Sequence, residues 1–321
     1  MAAAAISAGV SCDRNTLAHG GFREIVVDHT PPVRPHCKTV GDIDGDGFTD
    51  ILAASSGGGG LFWYPWPDWT KRRIDTGSFS TDMQAADIDG DADLDVIIPS
   101  REHGLVWYEN PRPLLRSTFE GWQRHQIDSE GAHDLEIGDI DGDGKLDVVA
   151  RSKTTRVYFQ IDPQNWMRVE VSSGGRGGTA LGDLNGDGKL DIAQNGYWLE
   201  APKERDGLWQ RHEIALGWPD DIGVHIADVD GDGKPDVLMA PAEEPGRLVS
   251  YRSDDPVRGP WREHVVDAGV AFVHTFKTAD MDGDGNLDVV TGEMEQSPEG
   301  RVAIHYNLGK GLKWRTVVIA R

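Results

Sequence analysis

The segment GDIDGDGFTD (Gly41–Asp50) returns five more times along the chain: as ADIDGDADLD (Ala86–Asp95), GDIDGDGKLD (Gly138–Asp147), GDLNGDGKLD (Gly182–Asp191), ADVDGDGKPD (Ala227–Asp236) and ADMDGDGNLD (Ala279–Asp288). The first acidic positions fall at 42, 87, 139, 183, 228 and 280, in steps of 45, 52, 44, 45 and 52 residues. A second marker keeps the same beat, since Trp69, Trp122, Trp166, Trp209, Trp261 and Trp314 are each followed within two residues by Lys or Arg. A fixed period in this range indicates repeated supersecondary units that stack on one another.

Between the markers lie short runs rich in β-branched and aromatic residues, such as LDVVA (Leu146–Ala150), RVYFQI (Arg156–Ile161) and LVWYE (Leu105–Glu109), which read as strands. One unit is then a strand leading into the acidic loop, a strand leaving it, a third ending in aromatics and a fourth opening near Trp. Four antiparallel strands per unit make a propeller blade, so the chain is expected to be an all-β propeller with six visible blades over residues 22–321. FREIVVD (Phe22–Asp28) reads as a further fourth strand with no strands before it, which leaves the ring six- or seven-bladed.

Each loop presents oxygen ligands at positions 1, 3, 5 and 9, with a glycine for the sharp turn and a backbone carbonyl at position 7. That is the spacing a hard cation with six to eight oxygen ligands requires. The expected ligands are Asp42, Asp44, Asp46 and Asp50 (loop 42–50); Asp87, Asp89, Asp91 and Asp95 (loop 87–95); and Asp139, Asp141, Asp143 and Asp147 (loop 139–147). The later loops contribute Asp183, Asn185, Asp187 and Asp191 (183–191); Asp228, Asp230, Asp232 and Asp236 (228–236); and Asp280, Asp282, Asp284 and Asp288 (280–288). Up to six structural Ca²⁺ ions are expected. An EF-hand is rejected because position 12 is Ala53, Ala150 or Thr291 instead of Glu, and the flanks are strands. Two loops should bind more weakly: Ala92 replaces the turn glycine in the second, and Asn185 removes a charge from the fourth.

The formal charge is −22 with 54 acidic and 32 basic residues, which makes nucleic acid and anionic membrane surfaces poor partners. Six Ca²⁺ ions would bring the balance to roughly −10. No run of 18 apolar residues offers a membrane span. Residues 1–21 read as an N-terminal extension carrying a weak signal segment without a basic start, so an extracellular or extracytoplasmic location is expected. Cys12 and Cys37 either pair or remain separate small hydrophobes.

The repeated DxDGDGxxD motif resembles the FG-GAP and VCBS repeat family, which includes the propellers of integrin α-subunits. Ala240–Pro241 is similar to one element of that family's motif. The resemblance implies a calcium-binding propeller. It leaves function open among adhesion modules, lectins, and propeller domains of sugar and polysaccharide lyases.

At the start of the innermost strands, six positions before the first loop aspartate, stand His36, His133 and His274. His225 lies three before its own aspartate, and Asp134 adjoins His133. Second strands return to the same end, bringing Arg151, Gln194 and Glu293 toward this mouth. The set could recognise a carbohydrate or an extracellular protein. Alternatively, it could hold Zn²⁺ or another divalent metal, with His133 and His274 as acid–base groups and Arg151 neutralising a carboxylate or enolate in lyase or dehydratase chemistry. Trp63, Tyr64 and Trp66 are candidates for stacking on sugar rings, or else for packing between blades. His125, His212 and His264, three residues after a Trp, read as structural. Phosphate loops, nucleophile elbows and HExxH helices are missing from the sequence, which removes those enzyme classes.

Overall fold

The computed structural model describes residues 22, 24–112, 121–173 and 177–321; the extension 1–21, with Cys12, lies outside them. The described strands form six four-stranded antiparallel sheets, each a consecutive meander, and the first strands of successive sheets lie side by side around an axis. The described residues contain no helix, so none is long and apolar enough to cross a membrane. The expected propeller of six blades is the observed fold, and each blade begins with the strand that enters an acidic loop.

Burial explains why the blades must stack. Second and third strands such as Asp50–Ala54, Asp95–Ser100 and Leu61–Tyr64 are buried on both faces: blade 2 meets a blade on each side, whereas blade 1 meets blade 2 on one face and is covered by Val27, Val40 and Trp69 on the other. Five apolar clusters join blades pairwise from the first to the sixth; one places Leu52 and Trp63 of blade 1 against Val96 and Tyr108 of blade 2. The periodic tryptophans serve these seams. Trp122, Trp166, Trp209, Trp261 and Trp314 each pack into the cluster shared with the preceding blade. Trp69 belongs to a sixth cluster, formed by Ile51, Ala53, Phe62 and Tyr64 on the opposite face of blade 1, and Val27 covers it.

Polar links repeat with the same period. Asp75, at the end of the fourth strand of blade 1, accepts hydrogen bonds from Tyr108 Oη (2.7 Å) and Arg124 Nη1 (3.1 Å) of blade 2. Asp128 of blade 2 accepts equivalent bonds from Tyr158 (2.7 Å) and Arg168 (2.9 Å) of blade 3. Asp28 does the same for blade 1, bonded to Tyr64 Oη at 2.8 Å and paired with Lys71 Nζ at 3.0 Å. Residues 24–28 are not hydrogen-bonded as a strand, contrary to the reading of FREIVVD, yet Asp28 occupies the place of a fourth-strand aspartate preceding blade 1. The sequence register was right; the ladder is absent because the blade's own fourth strand, Arg72–Asp75, already pairs with Leu61–Tyr64 and the segment has no sheet of its own to join.

Cys37 is fully buried in the seam between blades 1 and 2 as a free thiol, and burial pushes its pKa well up. His125 and His212 are structural as expected. Each ring stacks on a third-strand tryptophan, Trp107 at 4.4 Å or Trp198 at 4.3 Å, while Nε2 meets Glu109 or Glu200 at 2.8 Å.

Candidate functional site

The acidic loops are built the same way in each blade. In the third, Asp139 accepts the amides of Gly142 (2.8 Å), Asp143 (3.0 Å) and Gly144 (3.0 Å), which curls the loop around its first carboxylate. The position-6 residue must adopt a left-handed backbone: Gly47, Gly144, Gly188, Gly233 and Gly285 have φ between 86° and 89°. Ala92 is held at φ 72° in the second loop, so the strain expected of it is present.

The position-9 aspartates tie each loop to its sheet. Asp50, Asp95, Asp147, Asp191, Asp236 and Asp288 are buried, and each accepts the position-2 amide of its own loop at 2.9–3.2 Å. In five blades the other oxygen accepts an amide at the end of the third strand, from Trp66, Asn110, Gln160, Ala201 or Asn307, at 2.8–2.9 Å. Burial, reinforced by neighbouring loop carboxylates, pushes Asp147 to about 6 and Asp95, Asp191 and Asp236 to about 7. For Asp236 the Arg252 guanidinium 3.6 Å away opposes this effect of burial.

In five loops three carboxylates bring one oxygen each within 4.8 Å of one another: Asp42, Asp44 and Asp50; Asp87, Asp89 and Asp95; Asp139, Asp141 and Asp147; Asp228, Asp230 and Asp232; Asp280, Asp282 and Asp288. The fourth loop forms no such group, because Asn185 replaces the middle carboxylate. This all-oxygen donor set, converging on a curled loop, fits a hard divalent cation.

Three loops also hold an arginine that the motif does not reveal: in the second, Arg112 lies 3.9 Å from Asp93. Arg205, from the turn between the third and fourth strands of blade 4, pairs with Asp141 and Asp143 of blade 3. Arg252, at the end of the third strand of blade 5, lies 3.1 Å from Asp230 and 3.6 Å from Asp236. A cleft beside that loop is lined by Asp232, Lys234, Arg252, Arg262 and His264, and burial together with the two arginines lowers the pKa of His264.

At the opposite end of the channel the structure brings together only part of the expected set. His133 Nδ1 meets Asp134 at 3.0 Å, a contact that raises the pKa of His133, and His274 Nε2 meets Glu243 at 2.7 Å. Asp221 lies within electrostatic range of all four, and burial raises its pKa. Arg151 sits behind them, buried, with Nη1 donating to the Gly178 carbonyl at 3.0 Å and Nη2 without a hydrogen-bond partner. His36 is exposed and interacts electrostatically with Lys38, Glu295 and Arg34 instead.

The remaining candidates are engaged elsewhere. Gln194 is buried between Thr155, Ser172 and Tyr197 at 2.7–2.9 Å, and Glu293 is bound by Arg301 and Ser297. His225 lies inside the channel, bonded to Thr278 at 3.0 Å and pushed down to about 4 by burial and Lys277. Among the described residues, no histidine enters a three-donor group. Sequence reasoning missed Asp82, Glu136 and Lys277 in the channel; burial pushes Asp82 to about 6 and Glu136 to about 7. The positions of Glu136 and Lys277 on first strands, and of Asp82 just before one, were readable, but not which of them face the axis.

The FG-GAP-like repeat family matches the chain at residues 42–98, 139–193 and 228–291, more than half its length. No curated protein matches. Among solved structures, the chain is similar to BBS1N in its complex with ARL6DN, with 13% identity, a TM-score of 0.53, and coverage of 90% of this chain and 82% of that one. It is also similar to the Vibrio cholerae biofilm matrix protein Bap1, with 14% identity, a TM-score of 0.48 and 90% of this chain covered; the chain spans 59% of Bap1's length. At these identities the likeness concerns the fold alone.

Proposed function

Because the chain belongs to the FG-GAP-like repeat family, we propose that it is a calcium-stabilised propeller that acts as a ligand-binding module, with its recognition face at the channel mouth. The observation that carries the calcium reading is the convergence of three carboxylate oxygens in five separate loops. Asp44, Asp89, Asp141 and Asp282 at position 3 would join the position-1 and position-9 aspartates as ligands, and in loop 5 Asp230 would join Asp228 and the position-5 Asp232, with the position-7 carbonyl completing each set. Bound Ca²⁺ supplies positive charge and locks each loop onto its sheet. Loop 6 is an open site: none of the described basic side chains forms an ion pair with Asp280, Asp282 or Asp284, as none does with Asp87, Asp89 or Asp91 of loop 2.

The ligand reading rests on the mouth formed by His133, Asp134, Asp221, Glu243 and His274 with Arg151 behind it. Mixed donors and acceptors of this kind suit the hydroxyls of a carbohydrate or a polar surface of an extracellular protein. Millimolar calcium outside cells suits weak modular sites, in keeping with an extracytoplasmic location. The alternative, lyase or dehydratase chemistry, draws support from His133, whose contact with Asp134 favours the protonated ring of a general acid. A binding role is preferred because His133 and His274 are each already paired with a carboxylate.

The test is calorimetry on chelated protein, followed by melting with and without Ca²⁺. Uptake with a higher melting temperature is expected, each site contributing about 2.7 kcal/mol at a hundredfold excess over its Kd. Absence of both effects removes the calcium reading. Replacing His133 and His274 by alanine should weaken ligand affinity in a binding module and abolish turnover in an enzyme.

A further inference from the structure

Blade 1 carries at its acidic loop a group that the other blades lack. Position 7 is Phe48 there, against Asp93, Lys145, Lys189, Lys234 and Asn286 in the others. Phe48 is 57% exposed and Trp66, which follows the third strand of the same blade, is 40% exposed. Their rings stack with centroids 6.2 Å apart and planes inclined by 27°, while Trp69 stands edge-on to Trp66 at 5.3 Å and 80°. The result is a two-ring floor with a wall. By contrast, Trp63 and Tyr64 of the same LFWYPWPD segment are fully buried.

The loop's own carboxylates hold this floor. Asp46 Oδ1 accepts the Phe48 amide at 2.9 Å, and Asp50 Oδ1 accepts the Trp66 amide at 2.8 Å. Asp50 is pinned in turn by Trp63 Nε1 at 2.9 Å and the Ile43 amide at 3.2 Å. Trp69 is held at φ 53°, a left-handed conformation that a bulky residue adopts only when its surroundings impose it. Trp69 itself packs against Ile51, Ala53, Phe62 and Tyr64, which leaves Phe48 and Trp66 as exposed rings in a fixed mutual geometry, and that points to a ligand that uses their faces.

We propose that Phe48, Trp66 and Trp69 form a second binding site, on the face opposite the histidine mouth, for a neutral pyranose saccharide. A β-glucose unit with equatorial hydroxyls presents flat C–H faces to the rings and keeps its hydroxyls toward water. The chain's charge of −22 disfavours an anionic sugar. This inference rests on the calcium reading in one respect: the Phe48 carbonyl occupies the position-7 ligand site, so Ca²⁺ in loop 1 would fix the floor.

The experiment titrates the full chain with cellohexaose and laminarihexaose, followed by tryptophan fluorescence and calorimetry in Ca²⁺ and in chelator, with calcium uptake measured on the same samples. The variants are Phe48→Lys, which places at this register the residue that blades 3, 4 and 5 carry, and Trp66→Ala. Binding by the parent chain, weakened roughly tenfold or more in Phe48→Lys while calcium uptake is retained, is the expected result. Calcium uptake without binding of either oligosaccharide overturns the site and leaves the calcium reading standing, as does undiminished binding by Phe48→Lys. Phe48-dependent binding without calcium uptake keeps the site and overturns the calcium reading.

Discussion

Replacing Ala92 by glycine tests the equivalence of the six loops at one backbone position. Ala92 is held at φ 72° where five loops have glycine at 86–89°. A left-handed alanine costs about 1–2 kcal/mol, while glycine loses about 0.4–1 kcal/mol more through the freedom of the unfolded chain. Ala92→Gly should therefore stabilise loop 2 by about 0.5–1 kcal/mol. The reciprocal change, Gly144→Ala, should destabilise loop 3 by a similar amount, since a Cβ at Gly144 would meet nothing within 4 Å and only the backbone is strained. Native-state hydrogen exchange of the loop amides is the assay. The amides of Ala92's successors, Asp93 in particular, should exchange about two- to fivefold more slowly in Ala92→Gly. The corresponding loop-3 amides should exchange faster in Gly144→Ala. Unchanged or faster loop-2 exchange in the first variant, or a silent second variant, would refute the reasoning.

Asn185→Asp restores the middle carboxylate of loop 4 and should raise its Ca²⁺ affinity, measured by calorimetry against the parent chain, with one additional site or a tighter weakest site. Asp28→Ala leaves the Tyr64 hydroxyl without its acceptor and removes the ion pair of Lys71, which keeps the Thr30 carbonyl, and should cost about 1–3 kcal/mol in denaturant unfolding. The Glu136 carboxyl, pushed to about 7 by burial with Asp82 and Asp134 nearby, binds its proton more tightly folded than unfolded. Its stabilising contribution is therefore present below its ordinary pKa of 4.5 and is lost as pH rises through about 7. Glu136→Gln should accordingly raise the melting temperature at pH 8 relative to the parent, with the difference disappearing toward pH 4, when melts are compared across that range.

The architecture was legible because two periodic markers fall on the parts that physics repeats: the acidic turn between the first and second strands, and the tryptophan filling the seam with the preceding blade. Ala92 and Asn185 were readable as departures for the same reason, since five copies define what each position requires. FREIVVD was readable in register but not in hydrogen bonding. Its Asp28 repeats the role of Asp75 and Asp128, while strand pairing depends on a neighbouring sheet that no local pattern reports. The channel mouth was the least legible part. Register placed His36, His133 and His274 at one level, yet Asp221 reaches His133 and His274 from the connection before blade 5, and Glu243 reaches His274 from the turn between the second and third strands of that blade. Gln194 and Glu293 are drawn into networks whose partners, Ser172 and Arg301, carry no periodic signal. Arg205 was hidden likewise because it comes from a connection of variable length, and Arg252 because the other third strands have no basic residue at their ends.

The central claim is that the acidic loops are cation sites that pin the blades. Anomalous scattering from crystals grown in Ca²⁺ and exchanged with a lanthanide tests it most directly. Peaks inside the loops beginning at Asp42, Asp87, Asp139, Asp228 and Asp280 are the predicted result. Loops without peaks at saturating ion, their carboxylates bonded only to backbone amides and to Arg205 or Arg252, would contradict it.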